Sequence, residues 1–553
     1  MQRSLRISLR ALCGALLAFG ASAQTVIVHN ARVYTPVGAT VREYAGIVIE
    51  RGKVQRLLDS GANLPTGTDI ERIDAGGRTI LPGLIDAHGH VLGLGQLKLQ
   101  TDLRGSESVA AAVERVRRFA LANADAGWIV GHGWNQVLWP DKQFPTAKDL
   151  DAVVADRPIV LSRVDGHAVW VNTRALKIAG ITRATADPQG GQIVRDARGE
   201  ATGVLVDAAS ALVEKHIPAA TDAQLQRALH AAMNDVASLG LTGVHDAGIS
   251  VRDYQAYRAL GASQRLPIRI YAMLADSEEA RATLAAGPKP AEFDDRLQMR
   301  AVKAWVDGAL GSRGATMLQD YSDQPHHRGL MLYTAPQIAT LADLTAASGW
   351  QLNIHAIGDA GNRLALDTFE HELTAVQRSA LRPRIEHAQI IALEDIPRFA
   401  KLGVIASIQP THATSDMNMA EDRVGPQRIQ GAYAWRTLLN AGARLAGGSD
   451  FPVELPNPFL GLYAAVTRQD RDGQPPGGWY GNQKLTREEA LRLFTIDAAY
   501  ASFMEDRVGS LEPGKWADFI LIDRDYFKVP ESEIDDIQVK ATYVAGVRLW
   551  GRL

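Results

Sequence analysis

Between residues 80 and 450 the chain repeats one pattern, a short apolar run followed by a stretch with helical periodicity. The runs read ILPGLIDAHGH, TGVHDA, PIRIYAML, RAVKAWVDG, WQLNIHAIGD, PRIEHAQ, GVIASIQP and RLAGGSD. A short run that is apolar almost throughout fits a strand buried on both faces, the situation of a parallel sheet covered by helices. Parallel strands need crossovers, and the intervening stretches supply them. Residues 222 to 239 carry Leu225, Ala228, Leu229, Ala232, Met233 and Val236 at helical spacing, and Thr486 stands three residues before Glu489 as a capping box opening the last helix. Eight such units predict an α/β chain built on a TIM (β/α)8 barrel over residues 83–505.

The two ends have a different style. TVIVHNARVYT and GIVIERGKVQRLL, the latter turning at Arg51-Gly52, precede the barrel, and ADFILID and VKATYVAGVRLWGRL follow it. Such short alternating strands predict one small composite β-sandwich made from residues 24–82 and 506–553. Roughly 140 residues separate the first barrel strand from the second, far more than one crossover helix requires. A large insertion, about residues 98–240, is therefore expected. Its β-like pieces WIVGHGW, PIVLSRV and AVWVN suggest a lobe over the barrel mouth.

Residues 1–23 read as a cleavable signal peptide: Arg3, Arg6 and Arg10, then an apolar stretch from Ala11 to Ala21, then Ala21-Ser22-Ala23. The apolar stretch is too short for a permanent anchor, so a periplasmic or secreted protein without stable membrane insertion is expected. Cys13 is the single cysteine and leaves with the signal, which removes disulfides, thiol nucleophiles and cysteine metal ligands from the mature chain. Lys and Arg number 59 against 62 acidic residues. That balance gives no footprint for nucleic acid and leaves a small-molecule substrate as the expected partner; a homodimer is compatible with it.

Costly polar residues fall at the strand ends. His88 and His90 close the first run; Asp86, His88 and His90 line one side of an extended chain, and the two imidazoles, about 6 to 7 Å apart at their bases, suit one divalent ion. Lys303 sits in the fourth run, His355 ends the fifth, His387 the sixth and Asp450 the eighth. Side chains at the C-terminal ends of barrel strands converge on one mouth, where active sites are built. Each histidine alone reads equally as a satisfied core residue; together they point to a metal centre. Lys303 requires either a carboxylate partner or conversion by CO2 into an anionic carbamate.

These residues lie in LPGLIDAHGH, GWNQVLWP, RVDGHAVWVN, VKAWVDGALGSR, IHAIGD, RIEHA, GSDFPVE and VGSLEPGKWADFILID, an ordered set spanning nearly the whole mature chain. The set resembles the amidohydrolase superfamily, and within it the amidohydrolase-3 branch of YtcJ-like proteins and N-substituted formamide deformylases. The resemblance implies a distorted barrel and two divalent ions, zinc foremost, with Mn, Co, Ni or Fe as alternatives. It assigns His88, His90 and Asp450 to one ion and His355 and His387 to the other, with a carbamate on Lys303 shared between them. Deaminases of the superfamily carry a glutamate three residues after the strand-five histidine; position 358 here is glycine.

The expected chemistry is hydrolysis of a C–N amide bond in a small N-acyl or N-formyl amine by a metal-bridging hydroxide, with Asp450 moving the proton. An esterase, lactonase or cyclic-amide hydrolase on the same centre is the alternative, and a non-catalytic exported binding protein is a third reading. Trp134, Asn135, His167, Arg313 and His412 are the substrate-binding candidates, drawn from aromatic and polar positions of the insertion and of loops after strands four and seven. Trp170 reads as core, and His245 as structural with a substrate contact as its alternative.

Overall fold

The eight apolar runs form eight parallel strands in the computed structural model, which describes residues 25–67 and 69–551. They are β1 (Leu84–Gly89), β2 (Leu241–Ile249), β3 (Arg269–Ala275), β4 (Leu297–Trp305), β5 (Gln351–Ala356), β6 (Arg384–His387), β7 (Ile405–Ile408) and β8 (Arg444–Gly447). They hydrogen bond in chain order, with the short strand Lys289–Glu292 added antiparallel to β4. All six residues of β1 and all four of β6 and β7 are buried, as strands covered on both faces must be. The signal segment expected at 1–23 lies outside the described residues, among which no helix is long and apolar enough to cross a membrane.

No ladder joins β8 to β1, so the barrel is nearly rather than fully closed. A carboxylate closes it instead. Asp86 accepts the backbone N–H of His88 at 3.0 Å, and from across the seam the Ser449 N–H at 3.0 Å and hydroxyl at 2.6 Å. The Asp450 N–H then donates to the His88 carbonyl at 2.7 Å, and the His90 N–H to the Phe451 carbonyl at 2.7 Å. The approach is close enough that a Cβ on Gly448 would stand 2.5 Å from the His88 nitrogen, so the seam requires glycine there. This closure brings the segment carrying Asp450 against the segment carrying His88 and His90.

Helix Val91–Lys98 starts directly after His90, where Asp246 on β2 accepts the Val91 N–H at 3.0 Å. It packs on helix Asp222–Ser238, whose Leu225, Leu229 and Met233 join the barrel core with Val91 and Leu94. The helix predicted at 222 to 239 thus belongs to the barrel, and the inserted lobe lies between these two helices. The lobe is a mixed sheet in the order Gly191–Arg195, Ala201–Asp207, Ala168–Val171, Ile159–Arg163, Ile129–Trp134 and Thr101–Asp102, with its own core around Trp134, Trp139 and Trp170. Its edge meets the barrel where Asp102 and Arg104 share a cleft with Pro452, Glu454 and Leu455, the residues that follow Asp450.

Both chain ends build the remaining two sheets. One contains Thr25–His29, Gly46–Glu50, Lys53–Leu58 and Ile70–Asp74; the other runs from Val547–Gly551 through Phe519–Ile522 and Thr79–Pro82 to Thr40–Tyr44. Val28, Ile47, Ile80, Phe519 and Leu521 pack between them. The hairpin at Arg51-Gly52 turns with φ of 49° and 78°, the pair of left-handed residues that matches strand twist. A buried ion pair, Arg269 on β3 to Asp518 at 2.6 Å, fastens these sheets to the barrel.

Candidate metal centre

Six side chains meet at the C-terminal ends of five barrel strands. His88 and His90 come from β1 and the residue after it, Lys303 from β4, His355 from β5, His387 from β6 and Asp450 from the seam after β8. His90 Nε2 lies 2.9 Å from Asp450 Oδ1, and His88 Nε2 lies 3.6 Å from the same oxygen and 3.2 Å from Lys303 Nζ. The His387 ring stands 4.5 Å from that of His355 and 4.9 Å from that of His88, centroid to centroid. His412, on helix Pro410–Asp416 after β7, stacks on His387 at 5.8 Å and points Nε2 at Asp450 Oδ2, 3.6 Å away.

Local backbone explains how two of these side chains reach the centre. His387 and Asp450 adopt left-handed φ values of 75° and 62°, a conformation that costs a non-glycine residue roughly 1–2 kcal/mol. At His387 the kink ends β6 and lets both Glu386 and His387 face the interior, which strand alternation alone forbids. Asp450 is held in the same strained way by the seam. Such strain persists only where surrounding contacts fix it, and it collects at functional sites.

Burial sets the charge states. It drives the pKa of His88 down to about 4 and that of His355 to about 3, in each case helped by the nearby Lys303 ammonium, and holds His387 well below its ordinary value. Three imidazoles are therefore neutral and offer lone pairs. Burial also lowers Lys303 to about 8, against the pull of Glu386 and Asp450. Burial would raise Asp450, but the hydrogen bond from His90, with the imidazoles of His88 and His412 close by, outweighs it and keeps the carboxylate ionised. Asp307, just past β4, is raised by burial to about 6 while accepting the backbone N–H groups of Ile357, Gly358 and Thr316, and its Oδ1 lies 3.5 Å from His355 Nε2.

The Amidohydro_3 profile of the amidohydrolase family matches residues 71–549. The chain belongs to the amidohydrolase family. The putative amidohydrolase YtcJ of Bacillus subtilis (strain 168) is 32% identical over 542 residues, covering 94% of this amidohydrolase and 98% of that protein. N-substituted formamide deformylase of Arthrobacter pascens is 29% identical over 507 residues, covering 88% and 90% respectively. The crystal structure of an uncharacterized metal-dependent hydrolase from Pyrococcus horikoshii OT3 superposes with a TM-score of 0.76 at 27% identity, over 92% of this chain and 99% of that one.

The amidohydrolase is accordingly a metal-dependent hydrolase, and its centre groups donor atoms that could hold a cation. Among the described residues, His88, His90 and Asp450 form one group whose ligand atoms all lie within 4.8 Å of one another, and His387, His412 and Asp450 form a second. Nε2 of His355 and Nε2 of His412 are buried without a hydrogen-bond partner. Unpartnered buried polar atoms are costly, and two imidazole nitrogens of this kind beside an ionised carboxylate are a donor set that a cation would satisfy. Nitrogen and oxygen donors of this kind suit zinc or a similar divalent ion.

Of the substrate-binding candidates, only His412 joins this cluster. Trp134 is fully buried in the lobe core and donates its indole N–H to the Leu161 carbonyl at 2.7 Å, and Trp170 does the same to Thr146 at 2.8 Å. Asn135 caps the turn Gln136–Leu138. His167 is exposed on the lobe and pairs with Asp207 at 2.8 Å, while Arg313 is engaged by Asp323 at 2.8 Å. His245 is buried inside the barrel and accepts from Arg384 at 3.0 Å, in keeping with a structural role. Sequence reasoning passed over Trp305. It stands two residues after Lys303 on the same face of β4, half-buried beside His355, with Lys303 Nζ 5.3 Å from its ring centroid. Counting the alternation two residues beyond Lys303 would have found it.

Proposed function

We propose that this amidohydrolase is an exported enzyme that hydrolyses the C–N amide bond of a small N-acyl or N-formyl amine. In this reading His88, His90 and Asp450 would hold one divalent ion and His355 and His387 the other, zinc foremost, and a carbamate on Lys303 would supply an anionic ligand to both. The observation that carries it is the convergence of neutral imidazoles, an ionised Asp450 and a buried lysine on one space, with unpartnered atoms facing it. The relative whose name is N-substituted formamide deformylase supports the choice of bond. The arginine-led apolar segment at the N-terminus supports export. When bound, the ions would lower the pKa of a coordinated water and polarise the scissile carbonyl.

The chain's own residues supply the rest. With its pKa lowered to about 8, Lys303 is partly neutral near physiological pH. Its amine nitrogen adds to the carbon of CO2 and loses a proton, which turns a costly buried ammonium into an anion that cations can neutralise. Asp450 turns Oδ1 to His88 and His90 and leaves Oδ2 toward His412. As water adds to the carbonyl carbon, Asp450 takes the released proton and returns it to the amine nitrogen when the C–N bond breaks, so that amide and water give acid and amine. His412 faces the same space and can hydrogen bond the substrate oxygen or the departing nitrogen; Trp305 walls it on the β4 side. Position 358 admits no proton-carrying glutamate of the deaminase kind, because a Cβ on Gly358 would stand 2.0 Å from the Thr316 carbonyl oxygen.

A panel of N-formyl amines, N-acyl amines, esters and lactones, assayed with zinc-loaded protein, tests the reading. Stoichiometric release of amine and acid from members of the first two sets is expected, with Lys303→Ala losing both bound metal and rate. Turnover of esters or lactones alone would replace the amide reading, and a Lys303→Ala protein with full metal and rate would remove the carbamate.

A further inference from the structure

The two cation groups differ in what stands behind their histidines. His88 Nδ1 lies 2.6 Å from Glu386 Oε2. Glu386 is fully buried, and Arg384 grips both of its oxygens, Nε at 2.8 Å from Oε1 and a terminal nitrogen at 3.1 Å from Oε2. Arg384 is itself fully buried and donates further to the Ala87 carbonyl at 2.8 Å, the Ser407 hydroxyl at 2.9 Å and His245 Nδ1 at 3.0 Å. A carboxylate so held only accepts, so the proton on the His88 ring sits at Nδ1 and the lone pair of Nε2 points to the centre.

His387 is fixed in the same orientation by a different group. Its Nδ1 lies 2.8 Å from Gln409 Oε1, and Gln409 Nε2 donates to the Ser407 carbonyl at 3.2 Å, which orients the amide with its oxygen toward the ring. One histidine is thus backed by a carboxylate and the other by a neutral amide. Hydrogen bonding to a carboxylate raises the basicity of a ligating imidazole, and loss of such a partner costs about 10–100-fold in metal affinity. Arg384 neutralises most of the long-range charge of Glu386, so the difference acts through the His88 hydrogen bond. A buried Arg–Glu pair is otherwise a poor use of a barrel interior, where apolar side chains would do as well.

We infer that the centre contains two unequal cation positions: a tight one at His88, His90 and Asp450 backed by Glu386, and an exchangeable one at the His387 side backed by Gln409. The inference rests on the reading of the cluster as a centre for divalent ions. Glu386 and Gln409 are positioning residues, acting on the ions only through His88 and His387.

The test is a competitive zinc titration of the metal-stripped full chain against a chromophoric chelator, reading two stepwise dissociation constants, with circular dichroism and thermal melting to verify folding. Wild type should bind in two steps at least about tenfold apart. Glu386→Gln should weaken the tight step by about 10–100-fold and leave the other nearly unchanged, while Gln409→Glu should tighten the weak step by a similar factor. If Glu386→Gln does not fold, the Gln409→Glu arm decides alone. Two steps of equal strength in wild type, an equal shift of both steps in Glu386→Gln, or an unmoved weak step in Gln409→Glu overturns the inference while leaving the centre intact. No uptake by wild type overturns the centre and the inference with it.

Discussion

The inserted lobe and the barrel mouth both bury large rings among polar groups, and they differ in how those groups are satisfied. In the lobe Trp134, Trp139 and Trp170 lie with ring centroids 6.2 to 6.4 Å apart, and each indole N–H finds a backbone carbonyl within 2.9 Å. At the mouth His355 and His412 keep a buried nitrogen with no partner, while His387 and Asp450 hold strained backbone. The lobe's three indoles are satisfied by its own backbone, whereas the unpartnered imidazole nitrogens of the mouth belong to side chains gathered around Asp450. Aromatic and polar residues in a motif therefore say little until their partners are known.

That contrast breaks most visibly in kinetics. His387→Ala or Asp450→Asn should lower turnover on the order of 10³-fold, about 4 kcal/mol of transition-state stabilisation, with little change in the melting temperature of the metal-free protein. Steady-state rates at saturating zinc together with calorimetry check this. A comparably large loss from a lobe residue that does not unfold the protein would erase the distinction.

The converse holds for Trp134→Ala. It should destabilise the protein by about 3–5 kcal/mol, seen as an earlier unfolding transition in denaturant, while rate per bound metal in the folded fraction stays near wild type. A selective fall in that rate with unchanged stability would move Trp134 from core to pocket.

The pH dependence of stability sharpens the comparison next. In the folded metal-free protein His88 and His355 take protons only near pH 4 and 3, whereas in the unfolded chain they do so near 6.5. Below 6.5 the unfolded state binds more protons, so stability is fully present above that pH and falls as pH drops toward 4, by on the order of 1.4 kcal/mol per pH unit for each group. Urea unfolding of metal-free wild type between pH 7 and 4 should show this slope, and His355→Gln should flatten it.

The smallest effect is expected at His167→Ala. Its pair with Asp207 is exposed on both sides, so stability should move by less than about 0.5 kcal/mol and kcat/KM should not change.

Much of the barrel and of the metal cluster was legible in the chain. The eight apolar runs appear as the eight strands, and the polar residues that interrupt them at His88, Lys303, His355 and His387 converge as strand-end residues of a barrel must. What stayed hidden has a common cause. Glu386 reaches His88 across 298 residues, and Arg384 reaches His245 across 139, so no local pattern records either contact. Glu386 also lay beside His387 in a strand, where alternation forbids both from facing inward; only the left-handed turn at His387 permits it. The lobe misled for the opposite reason, since GWNQVLWP carries the composition of a ligand wall and the partners of a core.

By itself the sequence determined the architecture and the strand-end positions of the candidate donors, because strand periodicity and the cost of burying histidine and lysine are properties of neighbouring residues. Tertiary structure decided the rest: which donors come within reach of one another, which oxygen of Asp450 faces which histidine, and that a carboxylate stands behind His88 where an amide stands behind His387. Those are distances between distant segments, fixed only when Asp86 and Ser449 close the barrel and bring its last strand against its first.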